Sequence, residues 1–393
     1  MRHIHVIYAG GTIGMRTSDE GLVPDTELAE WLNRQLAGTD FAGNVSFMQL
    51  SPLIDSANAT PAAWQQIVDA VRAVSRSAGG NATTSHTVSA SNAVSAGAAD
   101  EADAADKDAE KGNVESADGS VDVGSGDAFV ILHGSDTMAY TAAALSFALP
   151  DIAAPIIMTG AQLPLTDAKS DAYSNVMGAL QAAAHPGLVG VYIFFGRHLL
   201  RGNRATKISA WDFEAFASPG VAPIAQMDGS QLVADSWQIA YSQQVDNYRR
   251  ARLPFPPRPF VPHDVMVLHV TPGMNAQRLA AALTPLPRAV VIRGYGMGNV
   301  PAQEPGFVDV LAEASGSGCV IVASSQTLHP RTDLRAYATG HALLDAGAVS
   351  GEDAMIEALY AKLIFLFSQG CSSEQVRTLI GRPLVGELTP AHA

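Results

Sequence analysis

The chain has 393 residues, of which 47% are hydrophobic and 16% charged, a balance typical of a soluble globular protein with room for two domains. Its formal net charge of −14 argues against a nucleic-acid-binding surface. No uninterrupted apolar run is long enough to span a membrane, so no membrane partner is expected. Cys319 and Cys371 are the only cysteines, and no Cys/His spacing indicates a metal site.

The first predicted strand begins at about residue 4, and no basic segment followed by a signal-like apolar run precedes it. We therefore expect no secretory leader. Two cysteines do not make a disulfide framework, and they suit the reducing cytoplasm.

Two glycine loops organise the predicted fold. The β-branched run Ile4–Ile7 predicts a buried strand that stops at Gly10-Gly11, directly before Thr12. A second apolar run, Ala128–Leu132, leads into the loop His133-Gly134-Ser135-Asp136-Thr137-Met138. Because ligands bind at the carboxyl ends of strands in open α/β sheets, the two hydroxyl-bearing loops predict one site built from two sides. Taken alone, either loop could be a glycine turn with an incidental hydroxyl.

Strands and helices alternate along the rest of the chain, which predicts parallel sheets with right-handed crossovers. Strands are predicted at Phe47–Ile54, Ala128–Leu132, Pro155–Thr159, Gly190–Phe195, Val265–Val270, Ala289–Arg293 and Cys319–Ala323. Helices are predicted at Leu28–Leu36, from Pro61 through Val74, and at Thr141–Leu149, Ser174–Ala184, Ala276–Leu283, Phe307–Ala314 and Ala354–Phe367. The last of these is apolar on more than one face, so we expect it to be largely buried.

Residues 77–126 interrupt the alternation. They contain no aromatic residue, Leu, Ile or Pro, and their nine acids and two lysines give −9 + 2 = −7, half of the chain's net charge. Such a segment cannot bury enough apolar surface to offset its chain entropy, so it is predicted to be a disordered acidic insert. A regulatory or partner-binding role is the alternative, but the segment offers no anchoring residues.

The sequence thus predicts an α/β protein with two α/β domains and mainly parallel sheets. The larger, N-terminal catalytic domain covers residues 1–217, and a smaller, Rossmann-like C-terminal domain covers residues 263–393. Residues 218–262 are interpreted as an irregular linker, stiffened by the five prolines of Pro254–Pro262.

Two segments, Tyr8–Met15 and His133–Met138, resemble the two signature segments of the bacterial-type L-asparaginases and occur in the same order. The resemblance covers nearly the whole chain apart from the insert, and it is strongest to the cytoplasmic, type I branch. It extends to Asp55-Ser56, Thr159–Gln162, Arg201–Lys207 and Gly386–Pro390.

The resemblance implies a reaction and the residues that carry it. Thr12 would be the nucleophile that attacks a side-chain amide carbon, a task for which a threonine hydroxyl needs a base and a charge-stabilising pocket. Ser135, Asp136 and Lys207 would relay the proton. The resemblance also implies substrate contacts from Gly11, Ser56, Ala57, Ser135, Asp136 and Ala161.

These contacts have distinct implied tasks. Gly11 and neighbouring residues would offer backbone N–H groups to an oxyanion. Ser56 would hold the substrate α-carboxylate, Asp136 the α-ammonium, and the Ala161 carbonyl would face the departing nitrogen. Taken singly, each residue has a structural alternative. Asp136 could be a carboxylate at a helix N-terminus, Ser56 a turn residue, and Lys207 a solvated strand end.

Three positions depart from the family pattern. Ser135 stands where threonine is usual, which keeps the oxygen but loses the β-branch that fixes χ1. Leu22 stands where a flexible loop commonly carries a tyrosine, and it cannot donate a hydrogen bond. Ala57 stands where some relatives have a polar substrate contact. These departures predict an altered rate or amide preference.

The resulting hypothesis is a cytoplasmic L-asparagine amidohydrolase that forms L-aspartate and ammonia through an acyl-threonine, without a cofactor. The resemblance also implies a homo-oligomer, a dimer or tetramer. One alternative is the tRNA-dependent amidotransferase subunit of the same family, which carries an extra N-terminal domain and whose tRNA partner the acidic charge disfavours. A second is a non-catalytic amino-acid sensor, against which Thr12, Asp136 and Lys207 argue.

Overall fold

A computed structural model describes residues 2–18, 21–24, 28–78, 127–240 and 257–389. For residues 16–18, 21–24 and 77–78 it describes the backbone alone. The predicted acidic insert lies outside the described residues except for its first two positions, which belong to the helix Pro61–Ala78. Residues 241–256 of the predicted linker also lie outside them.

The described N-terminal strands and helices follow the predicted alternation. Strands are β1 His3–Tyr8, β2 Met15–Ser18, β3 Gly21–Pro24, β4 Val45–Gln49, β5 Asp127–Leu132, β6 Pro155–Thr159, β7 Gly190–Phe195, β8 His198–Arg201, β9 Thr206–Lys207, β10 Phe216–Ala217, β11 Ala225–Asp228 and β12 Gln231–Ala234. Helices are α1 Leu28–Leu36, α2 Pro61–Ala78, α3 Met138–Ala148 and α4 Ala172–Ala184.

Eight of these strands form one sheet, in the order β12-β11-β8-β7-β6-β5-β1-β4. The pairs between β7 and β4 are parallel, whereas β8, β11 and β12 extend the sheet as antiparallel strands. The strands β5, β6 and β7 are buried along nearly their whole length, as expected for parallel strands covered on both faces. The sheet is therefore mainly parallel, as predicted.

The hairpin β11–β12 corrects the prediction that residues 218–262 are irregular. Ala225 pairs with Leu199 of β8, and the hairpin continues the sheet outward. Its four-residue strands alternate only weakly between buried and exposed positions, so their sequence carries little periodic signal.

Successive residues of the central strands face opposite helical layers because strand side chains alternate. In β1, Ile7 packs with α2 and α3 on one face, whereas Val6 packs with α1 and α4 on the other. The predicted helix Leu28–Leu36 has these bounds in the structure, and it buries Leu28, Leu32 and Leu36 at helical spacing.

The C-terminal part of the chain forms a second, four-stranded parallel sheet in the order β13-β14-β15-β16. Its strands are β13 Val265–His269, β14 Ala289–Gly294, β15 Val320–Ser325 and β16 Val349–Ser350. Its helices are α5 Ala276–Ala282, α6 Phe307–Gly316, α7 Ala338–Asp345, α8 Ile356–Ser368 and α9 Ser373–Ile380.

Helix α8 lies between the two sheets. Phe365 stacks on Phe147 of α3 with ring centroids 5.5 Å apart, and Phe367 lies under the Arg288 guanidinium, next to β14. Most α8 residues are buried, which confirms the prediction of a largely buried last apolar helix. None of the helices in the described ranges is long and apolar enough to cross a membrane.

Candidate active site

Four loops meet at one edge of the large sheet. The strands β6, β5, β1 and β4 are consecutive neighbours, and each runs parallel to the next. Their carboxyl ends therefore point the same way. The loops that follow them carry Gly160–Gln162, Gly134–Asp136, Gly10–Thr12 and Asp55-Ser56, respectively. Neighbouring strands thus bring together segments that are far apart in sequence, at the edge where open α/β sheets bind ligands.

Two glycines let these loops come into contact. Gly11 has a φ of +101°, and a Cβ placed on it would lie 2.4 Å from the Gly134 nitrogen. A Cβ on Gly134 would in turn lie 2.3 Å from the Ser56 hydroxyl. The Thr137 hydroxyl donates to the Ser56 carbonyl at 2.7 Å, which ties the same two loops together. No larger residue fits at either glycine without moving the backbone.

Thr12 begins the short 3₁₀ turn Thr12–Gly14 directly after this contact. It is half-buried, whereas Ile13 and Gly14 behind it are buried. The turn places a hydroxyl at the edge of the sheet beside the Gly11–Gly134 contact. Within the described residues, no hydrogen bond joins the Thr12 hydroxyl to the other predicted site residues.

Lys207 joins the two side chains that follow β5. Its ammonium group donates to the Ser135 hydroxyl at 2.9 Å and to the Asp136 carboxylate at 2.8 Å. The Ser135 side chain is buried, whereas 62% of the Asp136 side chain and 21% of the Lys207 side chain are exposed. The cluster therefore combines an ionised pair that solvent can reach with a buried hydroxyl.

Asp136 is not the cap of the helix that follows it, since α3 begins at Met138 with Thr137 in the N-cap position. Its side chain is paired with Lys207 instead. Asp136 therefore does not cap the helix, and Lys207 does not simply extend into solvent. Each side chain is instead paired with the other.

Gln162 extends the cluster in a way that sequence reasoning did not anticipate. The Ser135 hydroxyl donates to its side-chain oxygen at 3.3 Å, and its side-chain nitrogen donates to the Asp212 carbonyl at 3.1 Å. The buried Asp171 carboxylate accepts from the backbone nitrogens of Gln162 and Leu163 at 2.9–3.1 Å. It thereby fixes the loop that carries Ala161, which is 2% exposed.

His133 is a second residue that the sequence did not single out. It is buried below the loop, and burial lowers its pKa to about 4. A neutral imidazole donates from one nitrogen only, and the Gly134 carbonyl, 2.7 Å from Nδ1, can only accept. Nε2 is therefore the acceptor for the Thr141 hydroxyl, 3.2 Å away. This neutral histidine bonds to the carbonyl of Gly134, the residue whose nitrogen lies against Gly11.

The remaining predicted residues occupy simpler positions. Ser56 is buried against Gly134, whereas Ala57 is exposed and donates its backbone N–H to the Asp55 carboxylate at 3.1 Å. Asp55 thus caps the short turn Ser56–Asn58. The backbone at Leu22 pairs with Thr17 in the β2–β3 hairpin, but its side chain lies outside the described part of the structure.

No group of three or more His, Cys, Asp or Glu side chains that could hold a metal ion occurs among the residues that the structure describes. The polar groups around Ser135 are instead the Lys207 ammonium, the Asp136 carboxylate and the Gln162 side-chain amide. Such a set can bind a small zwitterion and move a proton between a hydroxyl and an amine.

The family model described as "Asparaginase, N-terminal" matches residues 3–82 and 117–239, and "Glutaminase/Asparaginase C-terminal domain" matches residues 264–380. The chain is 33% identical to L-asparaginase 1 of Escherichia coli K12 over 402 aligned positions, which cover 99% of this chain and 98% of that protein. It is 30% identical to a glutamyl-tRNA(Gln) amidotransferase subunit of Pyrococcus horikoshii, covering 68% of this chain and 60% of that one.

Solved structures agree with these matches. The crystal structure of L-asparaginase I from Vibrio cholerae superposes with a TM-score of 0.75 at 30% identity, covering 99% of both chains. The N-terminal family model resumes after a gap at residues 83–116, inside the insert, and the C-terminal model follows it. This chain is a member of the asparaginase family, and its sequence resembles the type I branch.

Proposed function

We propose that this protein hydrolyses L-asparagine to L-aspartate and ammonia through an acyl ester on Thr12. One observation carries the proposal: the Lys207 ammonium lies within hydrogen-bond distance of both the Ser135 hydroxyl and the Asp136 carboxylate, at the edge of the sheet where Thr12 emerges. Full-length similarity to L-asparaginase 1 of Escherichia coli supports asparagine as the substrate.

In the first half of the proposed reaction, Lys207 first passes a proton to the Asp136 carboxylate and becomes a neutral amine. The Thr12 hydroxyl then attacks the side-chain amide carbon, and its proton passes through the Ser135 hydroxyl to that amine. The negative charge that develops on the amide oxygen is stabilised by backbone N–H groups at Gly11. When the tetrahedral intermediate collapses, the C–N bond breaks and the departing nitrogen takes the proton, leaving as ammonia beside the Ala161 carbonyl.

In the second half, a water molecule replaces ammonia and attacks the ester carbon. The Ser135–Lys207 pair accepts the water proton and returns one to the Thr12 oxygen, so aspartate and free enzyme are formed. Ser56 holds the α-carboxylate of the substrate and Asp136 its α-ammonium. The contact between Ser56 and Gly134 supports this assignment because it keeps these two loops in register.

We further propose that the protein is a cytoplasmic homo-oligomer, a dimer or tetramer. The loop after Lys207 exposes three large apolar side chains, with Trp211 85%, Ile208 48% and Phe213 42% exposed. An apolar patch of this kind beside a site is typical of an interface. We also propose two domains, residues 1–217 and 263–393, with the hairpin β11–β12 added to the first because it completes the large sheet.

Ammonia release tests the proposed reaction. The protein is incubated with asparagine, or with glutamine for comparison, and free ammonia is measured without tRNA or a partner protein. We expect release from asparagine by the parent protein and its loss in Thr12→Ala, while calorimetry still detects asparagine binding by that variant. Undiminished kcat in Thr12→Ala would end the nucleophile assignment. Binding of asparagine without any ammonia from the parent protein would favour the sensor hypothesis.

A further inference from the structure

Of the three predicted proton-relay residues, Lys207 is the one that does not follow a strand of the large sheet directly. It lies in the two-residue strand β9, which pairs with Phe216–Ala217 of β10 in a separate two-stranded sheet. Its partners Ser135 and Asp136 follow β5 in the centre of the large sheet. A two-residue ladder gives little rigidity. The distances of 2.8 and 2.9 Å from its ammonium group therefore need support from elsewhere.

Glu357 supplies one support. The Thr206 hydroxyl donates to Oε1 of Glu357 at 2.6 Å, and Thr206 directly precedes Lys207 in the two-residue strand β9. Glu357 lies in the first turn of α8 and is 7% exposed. No hydrogen bond to its second oxygen is found within the described ranges. Burial raises the pKa of Glu357, and the bond from Thr206 opposes that shift.

Helix α8 also contacts the other side of the cluster. It packs along α3, which begins two residues after Asp136, and Phe365 stacks on Phe147 of that helix. One rigid, buried helix therefore touches both the element that follows Ser135 and Asp136 and the strand that carries Lys207. Such an element can fix the spacing between them.

The segment before Thr206 is held from the same C-terminal part of the chain. Asn203 donates to the Val385 carbonyl at 2.7 Å, and the Arg204 guanidinium donates to the Gly386 carbonyl at 3.0 Å. Arg204 also forms an ion pair of 3.2 Å with Asp353, just before α8. These contacts anchor the chain up to residue 204. Of these anchoring contacts, the bond from Thr206 to Glu357 is the one nearest to Lys207 in sequence.

We infer that Glu357 is a positioning residue for the reaction: by accepting from Thr206, it keeps the Lys207 ammonium within reach of Ser135 and Asp136. The inference rests on the proposed function. In the described part of the chain, no hydrogen bond joins Glu357 to the strand-end loops where the substrate would lie, so Glu357 would act through Thr206 and Lys207. A displacement of a reacting group by about 1 Å costs up to roughly 100-fold in rate, and loss of one anchor among several should cost less.

The test compares substitutions on both sides of the bond, in the full chain. Thr206→Val removes the donor but keeps the shape, and Glu357→Met removes the acceptor together with a buried carboxylate. We expect each to lower kcat for asparagine about tenfold with KM within about twofold, since the proposed substrate contacts lie on other loops. The double variant should match the single variants, because either change breaks the same bond. Thr206→Ser should recover most of kcat.

Ser368→Ala is the matched control. Ser368 is a buried hydroxyl at the opposite end of α8, where it donates to the Ile364 carbonyl at 2.8 Å. It should leave kcat unchanged even where it lowers the melting temperature. Glu357→Met exchanges a buried carboxylate for an apolar side chain of similar length. If Thr206→Val fails to fold, this variant still tests the positioning role.

Equal kcat in the parent, Thr206→Val and Glu357→Met would overturn the inference, as would additive losses in the double variant or a loss confined to KM. These outcomes are separate from the proposed function. If the parent protein itself releases no ammonia from asparagine, the function fails. If the parent is active and the variants match it, only the positioning role fails.

Discussion

Among the residues that the structure describes, two lysine–carboxylate pairs have nearly the same geometry and very different surroundings. Lys207 lies 2.8 Å from Asp136 at the edge of the large sheet, and Lys362 lies 2.6 Å from Glu387 beneath the C-terminal segment. The first pair is partly exposed, with 21% of the lysine and 62% of the aspartate side chain accessible. The second pair is fully buried on both sides.

The buried pair has its hydrogen-bonding capacity committed to the fold. Lys362 donates to the carbonyls of Ile380 and Arg382 as well as to Glu387, which uses all three of its N–H groups. Glu387 accepts from the backbone nitrogens of Leu384 and Val385. Burial lowers the pKa of Lys362, and Glu387 opposes that shift. This pair therefore fastens the C-terminal segment to α8.

Lys207 uses its N–H groups differently. Two of them bond to Ser135 and Asp136, which leaves a third, and solvent reaches the pair. An ion pair this open contributes little to stability, about 0–1 kcal/mol. Burial and saturation of hydrogen bonds, rather than the identity of the paired residues, thus distinguish a structural lysine from one available for proton transfer.

Breaking the buried pair should cost the most stability. Lys362→Met leaves Glu387 as an unpaired charge inside the protein, so we expect a loss of about 3–5 kcal/mol in the free energy of unfolding. The double variant Lys362→Met/Glu387→Gln should recover part of that loss because no buried charge remains. Urea denaturation of the parent and both variants measures it. A double variant no more stable than the single one would contradict the account of this pair.

A buried group at the site itself should produce an intermediate, pH-dependent effect. The pKa of His133 is lowered to about 4 in the folded protein, from 6.5 in the unfolded chain. Above pH 6.5 the His133 imidazole is mostly neutral in both the folded and the unfolded state. As the pH falls from 6.5 to 4, only the unfolded chain gains the proton, so folding stability is lost across that window. At pH 5 the loss amounts to about 2 kcal/mol.

Urea midpoints at pH 7 and pH 5 test this, with His133→Gln as the variant that cannot titrate. The parent should lose more stability between the two pH values than the variant does. Equal losses would mean that His133 is protonated as readily in the folded protein as in the unfolded chain. Burial would then not be what keeps this imidazole neutral.

A change at the hydroxyl beside Lys207 should have a weaker effect. Ser135→Thr adds the β-branch that restricts χ1 and keeps the oxygen that bonds to Lys207 and Gln162. We expect kcat to rise by about twofold to threefold, the effect of less than 1 kcal/mol of rotamer preference. Steady-state kinetics with asparagine measures it. A fall in kcat would show that the buried pocket around Ser135 has no room for a methyl group.

Most of the fold could be predicted from the sequence because its central elements carry strong local signals. Continuous apolar runs specified Pro155–Thr159 and Gly190–Phe195 with the observed bounds, and helical spacing did the same for Leu28–Leu36. The strands that were missed are short or lie at an edge. Thr206–Lys207 is a strand only because it pairs with Phe216–Ala217, a relation that no local pattern encodes.

The residues of the site also fall into those that the sequence could predict and those that it could not. The glycine loops could be placed at strand ends from the sequence, and the resemblance added Lys207. Gln162, Asp171 and His133 were not assigned roles because their importance depends on burial and on partners distant in sequence. Polar residues of this kind lie inside a protein only where each finds hydrogen-bond partners, and those partners are fixed by the three-dimensional fold.

We conclude that Lys207, which solvent reaches, takes part in catalysis, whereas the buried Lys362 stabilises the fold. This conclusion is tested most directly by measuring kcat and melting temperature side by side for Lys207→Met and Lys362→Met. We predict that Lys207→Met lowers kcat about 10³-fold, within the range of general acid–base catalysis, and shifts the melting temperature by no more than about 2 °C. Lys362→Met should lower the melting temperature by several degrees with a far smaller change in kcat. A Lys207→Met protein that keeps the parent kcat, or that melts as early as Lys362→Met, would contradict the account.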